Sequence, residues 1–118
     1  MKTAFGKYVR QKREALVKKD AAYSVRRVAA TIGVEPSFLS KVERGLEPPP
    51  SEAKTIALAE ALGEDPDVLL ALAGKVSREL QEVIMKRPQL FAQLIREMKD
   101  MPDHAVLSLV REVRDGKW

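Results

Sequence analysis

The residues best suited to chemistry are polar side chains on one face of a short predicted helix, about residues 36–44. They recur at i, i+1, i+4, i+5 and i+8, which places them on one side of an α-helix. Hydroxyl, ammonium and guanidinium groups in such a stripe can donate hydrogen bonds to base edges and phosphates. Leu39 and Val42 fall on the opposite side, which we expect to be core. The polar stripe consists of Pro36, Ser37, Ser40, Lys41 and Arg44.

A second short helix precedes this one and is joined to it by a tight turn. Ser24 is suited to cap its N-terminus, because the hydroxyl can accept from a backbone N–H that has no helical partner. Gly33 is suited to end it in a left-handed turn, and Pro36 favours the first turn of the next helix. The small Ala29 allows close approach, so residues 24–45 predict a helix-turn-helix. A helix that packs on its apolar side and exposes a polar stripe is suited to lie in the major groove of DNA. The alternative is a helical hairpin whose polar face is solvated.

Apolar residues at helical spacing predict helices along the rest of the chain. The first helix covers about residues 4–17, and two more follow the proline run at 48–50. No segment shows the strict alternation of a β-strand. The sequence therefore predicts an all-α protein with five helices over about residues 4–74 and about three amphipathic helices over 75–118.

The charge of the chain is divided unevenly between its two halves. Residues 1–50 contain 11 Lys/Arg and 5 Asp/Glu, a net charge of +6, whereas residues 51–118 contain 10 and 12, a net charge of −2. A basic first half indicates a polyanionic partner for that half. Solvation of helix surfaces by lysine and arginine is the alternative explanation.

Several classes of protein are excluded by what the sequence lacks. There is no cysteine, and His104 is the single histidine, so neither a thiolate nor a histidine-rich metal site is expected. We find no glycine-rich phosphate loop and no nucleophile–base constellation, so we expect no catalysis and no cofactor. No apolar stretch reaches transmembrane length and no signal-peptide core is present. We expect a soluble, cytoplasmic protein with no membrane partner.

Four segments, in order, resemble one family of regulators. They are residues 5–13, 24–34, 37–45 (followed by Pro50) and 56–63. Together they resemble phage-repressor-type helix-turn-helix regulators, the XRE or Cro/cI family, over about residues 4–74. The resemblance implies a five-helix lambda-repressor-like domain whose recognition helix begins near Pro36. It also implies a homodimer on double-stranded DNA, at an operator with two-fold symmetry.

The resemblance also assigns roles to the polar stripe. Ser37 and Lys41 correspond to base-contacting residues, and a lysine there can donate to guanine O6 or N7. Pro36 stands where some relatives carry a polar base reader, and offers an apolar contact to a thymine methyl. Ser40 and Arg44 are expected to reach base edges or phosphates.

Contacts to the DNA backbone are expected elsewhere. The N-terminus of the helix that starts after Ser24 can hold a phosphate through backbone N–H groups. Relatives often carry a basic residue after the glycine at position 45, but Leu46 and Glu47 stand here, and that puts the usual backbone contact of this loop in doubt. The expected backbone residues are Ser24, Val25, Arg26, Arg27, Lys18 and Lys19.

Arg13 and Glu43 match a family pair that forms a structural salt bridge. The pair joins the first helix to the recognition helix, because a buried arginine needs a carboxylate partner. We therefore expect a scaffold role for Arg13, with DNA contact as the alternative.

Residues 75–118 lie outside the resemblance. Their apolar faces are expected to pack on the first domain, on a second subunit, or on both, with a dimer interface as the first choice and an effector pocket or a partner-protein surface as alternatives. A repressor is favoured for the whole chain, and an antitoxin or other protein-interaction module is the other possibility. We expect Trp118 either to dock the C-terminal tail onto this bundle or to lie in solvent. The interface candidates are Phe91, Leu94, Ile95, Met98, Val106, Leu109, Val110 and Val113.

Overall fold

The computed structural model describes residues 2–116, with side chains from Ala4 onward. Trp118 lies outside the described residues. Over the described part of the chain the secondary structure is all helical, as the sequence predicts. The chain divides into two compact units, an N-terminal unit that ends at Ser77 and a C-terminal unit that begins at Arg78.

Eight α-helices follow one another along the described residues. The N-terminal unit contains α1 (Lys2–Val17), α2 (Val25–Ile32), α3 (Pro36–Glu43), α4 (Glu52–Leu62) and α5 (Pro66–Leu72). The C-terminal unit contains α6 (Arg78–Lys86), α7 (Pro88–Met98) and α8 (Asp103–Asp115). The predicted bounds agree to within a few residues, and the first helix begins two residues earlier than expected.

One short element was not predicted. A 3-10 turn, Ala21–Tyr23, lies between α1 and α2. Its cap is Asp20, whose carboxylate accepts from the N–H of Ala22 at 2.9 Å. The segment carries no periodic apolar pattern, so only the capping aspartate signals the turn.

Local capping explains why the helices of the N-terminal unit begin and end where they do. Ser24 Oγ accepts from the N–H of Arg27, and Ser51 Oγ accepts from the N–H of Lys54, both at 3.3 Å. Gly33 adopts φ 77°, a left-handed conformation that ends α2 and turns the chain into α3.

The core of the N-terminal unit is built from the apolar faces of all five helices. Half-buried side chains, Phe38 among them, pack around it. Burial of these residues supplies the main driving force for folding of this unit. The fully buried aliphatic and aromatic members include Phe5, Val9, Ala29, Leu39, Leu58 and Leu69.

Gly6 permits a close approach of α1 to α3. A Cβ atom at this position would collide with the carbonyl oxygen of Val42 and lie 2.8 Å from that of Glu43. The first half of α1 therefore lies directly against the end of α3, at a separation that only glycine allows.

The C-terminal unit differs in burial. None of the residues in α6, α7 or α8 is buried, although each helix has an apolar face. Leu90 is 63% exposed and Val113 is 59% exposed. Among the described helices, none is both long and apolar enough to cross a bilayer.

Candidate nucleic-acid interface

Helix α3 separates a buried side from a polar side. Leu39, Val42 and Glu43 are buried against the rest of the unit. The opposite side carries the predicted stripe, in which Ser37 and Lys41 are exposed. The helix is therefore held from behind, and its hydroxyl and ammonium donors face outward at successive turns.

The other members of the stripe are less uniform. Pro36 and Ser40 are half-buried, while Arg44 is exposed at the C-terminal end. Arg44 Nε donates to the carbonyl oxygen of Ser40 at 3.4 Å, which holds the arginine along its own helix. Ser40 is thus less accessible than Ser37 or Lys41.

A buried ion pair fixes α3 against α1. Arg13 Nε donates to Glu43 Oε2 at 2.7 Å, and Nη2 donates to Oε1 at 2.9 Å, so the pair is bidentate. Arg13 Nη1 also donates to the carbonyl oxygen of Tyr23 at 3.3 Å. The hydrogen bonds that Arg13 donates to Glu43 raise the pKa of Arg13 above its already high value. The two residues expected to pair therefore tie three elements together.

The turn between α2 and α3 is held by a residue from α4. Lys54 Nζ donates to the carbonyl oxygen of Ile32 at 2.8 Å, at the last turn of α2. A lysine in this position satisfies a helix-terminal carbonyl and interacts favourably with the helix dipole. Lys54 therefore ties α4 to the C-terminal end of α2, where the chain turns toward α3.

The N-terminus of α2 holds the residues expected to contact the DNA backbone. Arg26 and Arg27 are exposed, and Val25 is half-buried and packs against the core. Ser24 is half-buried, and its hydroxyl accepts from the N–H of Arg27. That amide is therefore already occupied by the cap, which leaves the earlier amides of α2 as the donors for a phosphate.

Two lysines expected to contact the DNA backbone follow the C-terminal end of α1. Lys18 and Lys19 are exposed and follow the last residue of that helix. They place positive charge just after the C-terminal end of α1, whereas the loop that follows Arg44 carries Leu46 and Glu47 and no cation.

Sequence reasoning missed two cations near the end of α3. Lys7 and Arg10, both exposed on α1, line a cleft together with Ala4, Glu43 and Arg44. Nothing in the local pattern of α1 reveals this proximity. The one signal was Gly6, because an interior helical glycine often marks a close approach.

A hydrogen bond closes the other side of the unit. Tyr8 Oη donates to Glu64 Oε1 at 2.5 Å, which joins α1 to the loop between α4 and α5. This bond raises the pKa of the Tyr8 phenol, with smaller contributions from burial and from the charge of Glu64. Asp65 Oδ1 accepts from the N–H of Asp67 at 2.9 Å as the cap of α5. These carboxylates therefore have structural partners.

The arrangement of α2, the turn at Gly33 and α3 defines a helix-turn-helix, the DNA-binding unit in which the second helix enters the major groove. Residues 4–72 match the family described as "Helix-turn-helix domain". The chain belongs to this family. Neither the curated proteins nor the solved structures gave a significant match.

Proposed function

We propose that this protein is a sequence-specific transcriptional regulator of the phage-repressor type (XRE or Cro/cI), acting as a repressor on double-stranded DNA. One observation carries the proposal: α3 is braced by buried Leu39, Val42 and Glu43 while Ser37 and Lys41 face outward. A rigid helix with outward donors at successive turns is suited to read base edges.

The reading residues are assigned by position on α3. Lys41 donates to guanine O6 or N7, and Ser37 contacts the base nearer the start of the helix. Pro36 offers an apolar contact to a thymine methyl. Ser40 and Arg44 contribute less to base reading, because Ser40 is half-buried and Arg44 folds back onto the carbonyl of Ser40.

Backbone contacts position this helix in the groove. The first amides of α2, with Ser24 and Val25 at the helix start, hold one phosphate. Arg26 and Arg27 are exposed beside them and add positive charge. Lys18 and Lys19, exposed just after the end of α1, supply further contacts to the DNA backbone.

Two copies of the chain bind one operator with two-fold symmetry. A two-fold operator requires a dimer, and the C-terminal unit carries apolar residues that a second copy would cover. Leu94, Ile95 and Val110 are 45%, 48% and 49% exposed. The partly buried Phe91, Met98, Val106 and Leu109 are next to them on the same faces, and Val113 extends the surface along α8.

Selection of bound sequences from random duplex DNA tests the regulatory proposal. At physiological salt, the full chain should recover a palindromic sequence with half-sites about one helical turn apart. Binding that is no tighter to any recovered duplex than to the random pool would overturn it. A salt titration separates the two cases, because non-specific binding rests almost wholly on phosphate contacts.

Substitution of Leu94→Asp tests the dimer. Sedimentation equilibrium of the full chain should show self-association weakened at least about tenfold, since a charge would have to be buried in the interface. Gln93→Asp, exposed on the same helix, is the matched control and should leave association unchanged. Equal effects of the two substitutions would place the interface elsewhere.

The same exposed faces favour a second candidate function. An antitoxin or other interaction module would use α6–α8 to bind a different protein, with DNA binding as a secondary activity. Under that proposal the full chain is monomeric in isolation, and Leu94→Asp abolishes its complex with the product of a neighbouring toxin gene. A dimer of the isolated chain that Leu94→Asp disrupts would favour the repressor.

A further inference from the structure

A basic cleft lies where the first half of α1 meets the end of α3. It has a volume of about 620 Å³ and is lined by Ala4, Lys7, Arg10, Glu43 and Arg44. The cations at positions 7, 10 and 44 are all exposed. Lys7 and Arg10 are three residues apart and therefore share one face of α1.

The carboxylate in this cleft does not cancel its positive charge. Glu43 is buried, and both of its oxygens accept from the Arg13 guanidinium at 2.7 and 2.9 Å. That ion pair is neutral as a unit, so the three cations of the cleft remain uncompensated by it. The cleft is consequently suited to an anion.

A weak competitor for one of the cations lies on α1 itself. Arg10 Nε and Glu14 Oε2 are 3.4 Å apart, and about half of each side chain is exposed. Such an exposed pair on a helix surface contributes little to stability, so it does not hold Arg10 away from a stronger ligand.

The cleft adjoins the surface of α3 assigned to DNA reading. Arg44 is the last residue of the polar stripe and also lines the cleft, and exposed Lys41 lies one turn before it. Beyond Arg44 the chain continues with Leu46 and Glu47, so the loop after α3 offers no cation. The positive charge that adds to Lys41 and Arg44 at this end of the helix therefore comes from Lys7 and Arg10 of α1.

We propose that Lys7, Arg10 and Arg44 form a clamp for a backbone phosphate of the same duplex that α3 reads. This inference rests on the proposed DNA binding and adds a second element to it. The clamp replaces the cation missing from the loop after α3 and sets the depth at which that end of the helix lies against the backbone. Such contacts position the protein without carrying sequence information.

The test is the salt dependence of duplex binding by the full chain. The double substitution Lys7→Ala with Arg10→Ala is compared with Arg78→Ala combined with Lys86→Ala, which removes the same charges from exposed positions of α6. Alanine is the best helix former, so neither change should break its helix; circular dichroism checks this.

The expected result is a loss of about 2 in the slope of log Kobs against log salt for the α1 variant, on every duplex sequence, and none for the α6 variant. If the parent chain fails to bind duplex DNA at all, the proposed function fails. If the parent binds and the two variants keep equal slopes, the clamp alone is wrong.

A second arm distinguishes DNA phosphate from a free anion. Inorganic phosphate replaces chloride at equal ionic strength in the binding assay with the parent chain and the α1 variant. The proposal predicts the same slope difference in both salts. Phosphate that inhibits the parent but not the variant, with equal slopes in chloride, would show a small-anion site and overturn the clamp.

Discussion

The two units of this chain are both helical, but they bury their apolar residues to different extents. Both units consist of α-helices with apolar residues, yet Leu58 in α4 is fully buried while Leu90 in α7 is 63% exposed. An apolar face thus specifies which side of a helix must be covered, but not what covers it. In the N-terminal unit the chain itself provides the cover.

Three specific contacts between helices further distinguish the N-terminal unit. Gly6 lets α1 approach α3, and the Arg13–Glu43 pair fixes that contact. Lys54 fixes the turn between α2 and α3. The first two contacts hold α3 against α1, and the third ties α4 to the end of α2. A unit of about forty residues rarely encloses a sufficient core alone, so the C-terminal unit is suited to a partner.

The largest expected effect comes from a comparison of one ion pair from each unit. Arg13→Ala leaves Glu43 buried without its partner, and should lower the free energy of unfolding by about 3–5 kcal/mol. Arg114→Ala is the matched change, because Arg114 and Asp115 are 3.8 Å apart and 70% and 51% exposed. It should cost under about 1 kcal/mol. Urea unfolding followed by circular dichroism measures both, and equal losses would contradict the comparison.

A second prediction compares one leucine from each unit. Leu58→Ala should destabilise the protein by about 2–5 kcal/mol, because it opens a cavity in a closed core. Leu90→Ala should change stability by under about 0.5 kcal/mol at concentrations where the chain is monomeric. A loss at Leu90 as large as that at Leu58 would show that the C-terminal unit is already covered in the single chain.

The smallest effect concerns the Tyr8–Glu64 hydrogen bond. Tyr8→Phe should lower stability by about 0.5–1 kcal/mol near neutral pH, since the bond is only partly buried. Because the folded pKa of Tyr8 is raised above its unfolded value near 10, the contribution is complete below pH 10 and is lost as the pH rises through the folded pKa. Parent and variant should therefore differ equally at pH 7 and pH 9 and converge above. A difference that grows with pH would contradict this assignment.

Much of the N-terminal unit could be predicted from the sequence, because its boundaries are set locally. Ser24, Ser51 and Gly33 fix helix ends through interactions within a few residues. The face of α3 follows from helical spacing, which separates Leu39 and Val42 from the polar stripe. The all-α class and the helix-turn-helix were therefore accessible before the structure.

The rest depends on contacts between distant residues. Lys7 and Arg10 line a cleft with Arg44 because α1 approaches the end of α3, and no local sequence pattern encodes that approach. The accessibility of Ser40 likewise depends on how α3 packs. The spacing of apolar residues shows which faces of α6–α8 need to be covered, but it does not show which surface covers them.

The most direct test of the central claim is the binding of Lys41→Ala to single-base-pair variants of the selected duplex. Discrimination should fall by about 1–3 kcal/mol at one base pair and its symmetry mate, with other positions unchanged. Lys86→Ala, which removes an exposed lysine from α6, should change no position. Uniform weakening across all duplexes after Lys41→Ala would contradict a base-reading role for the outer face of α3.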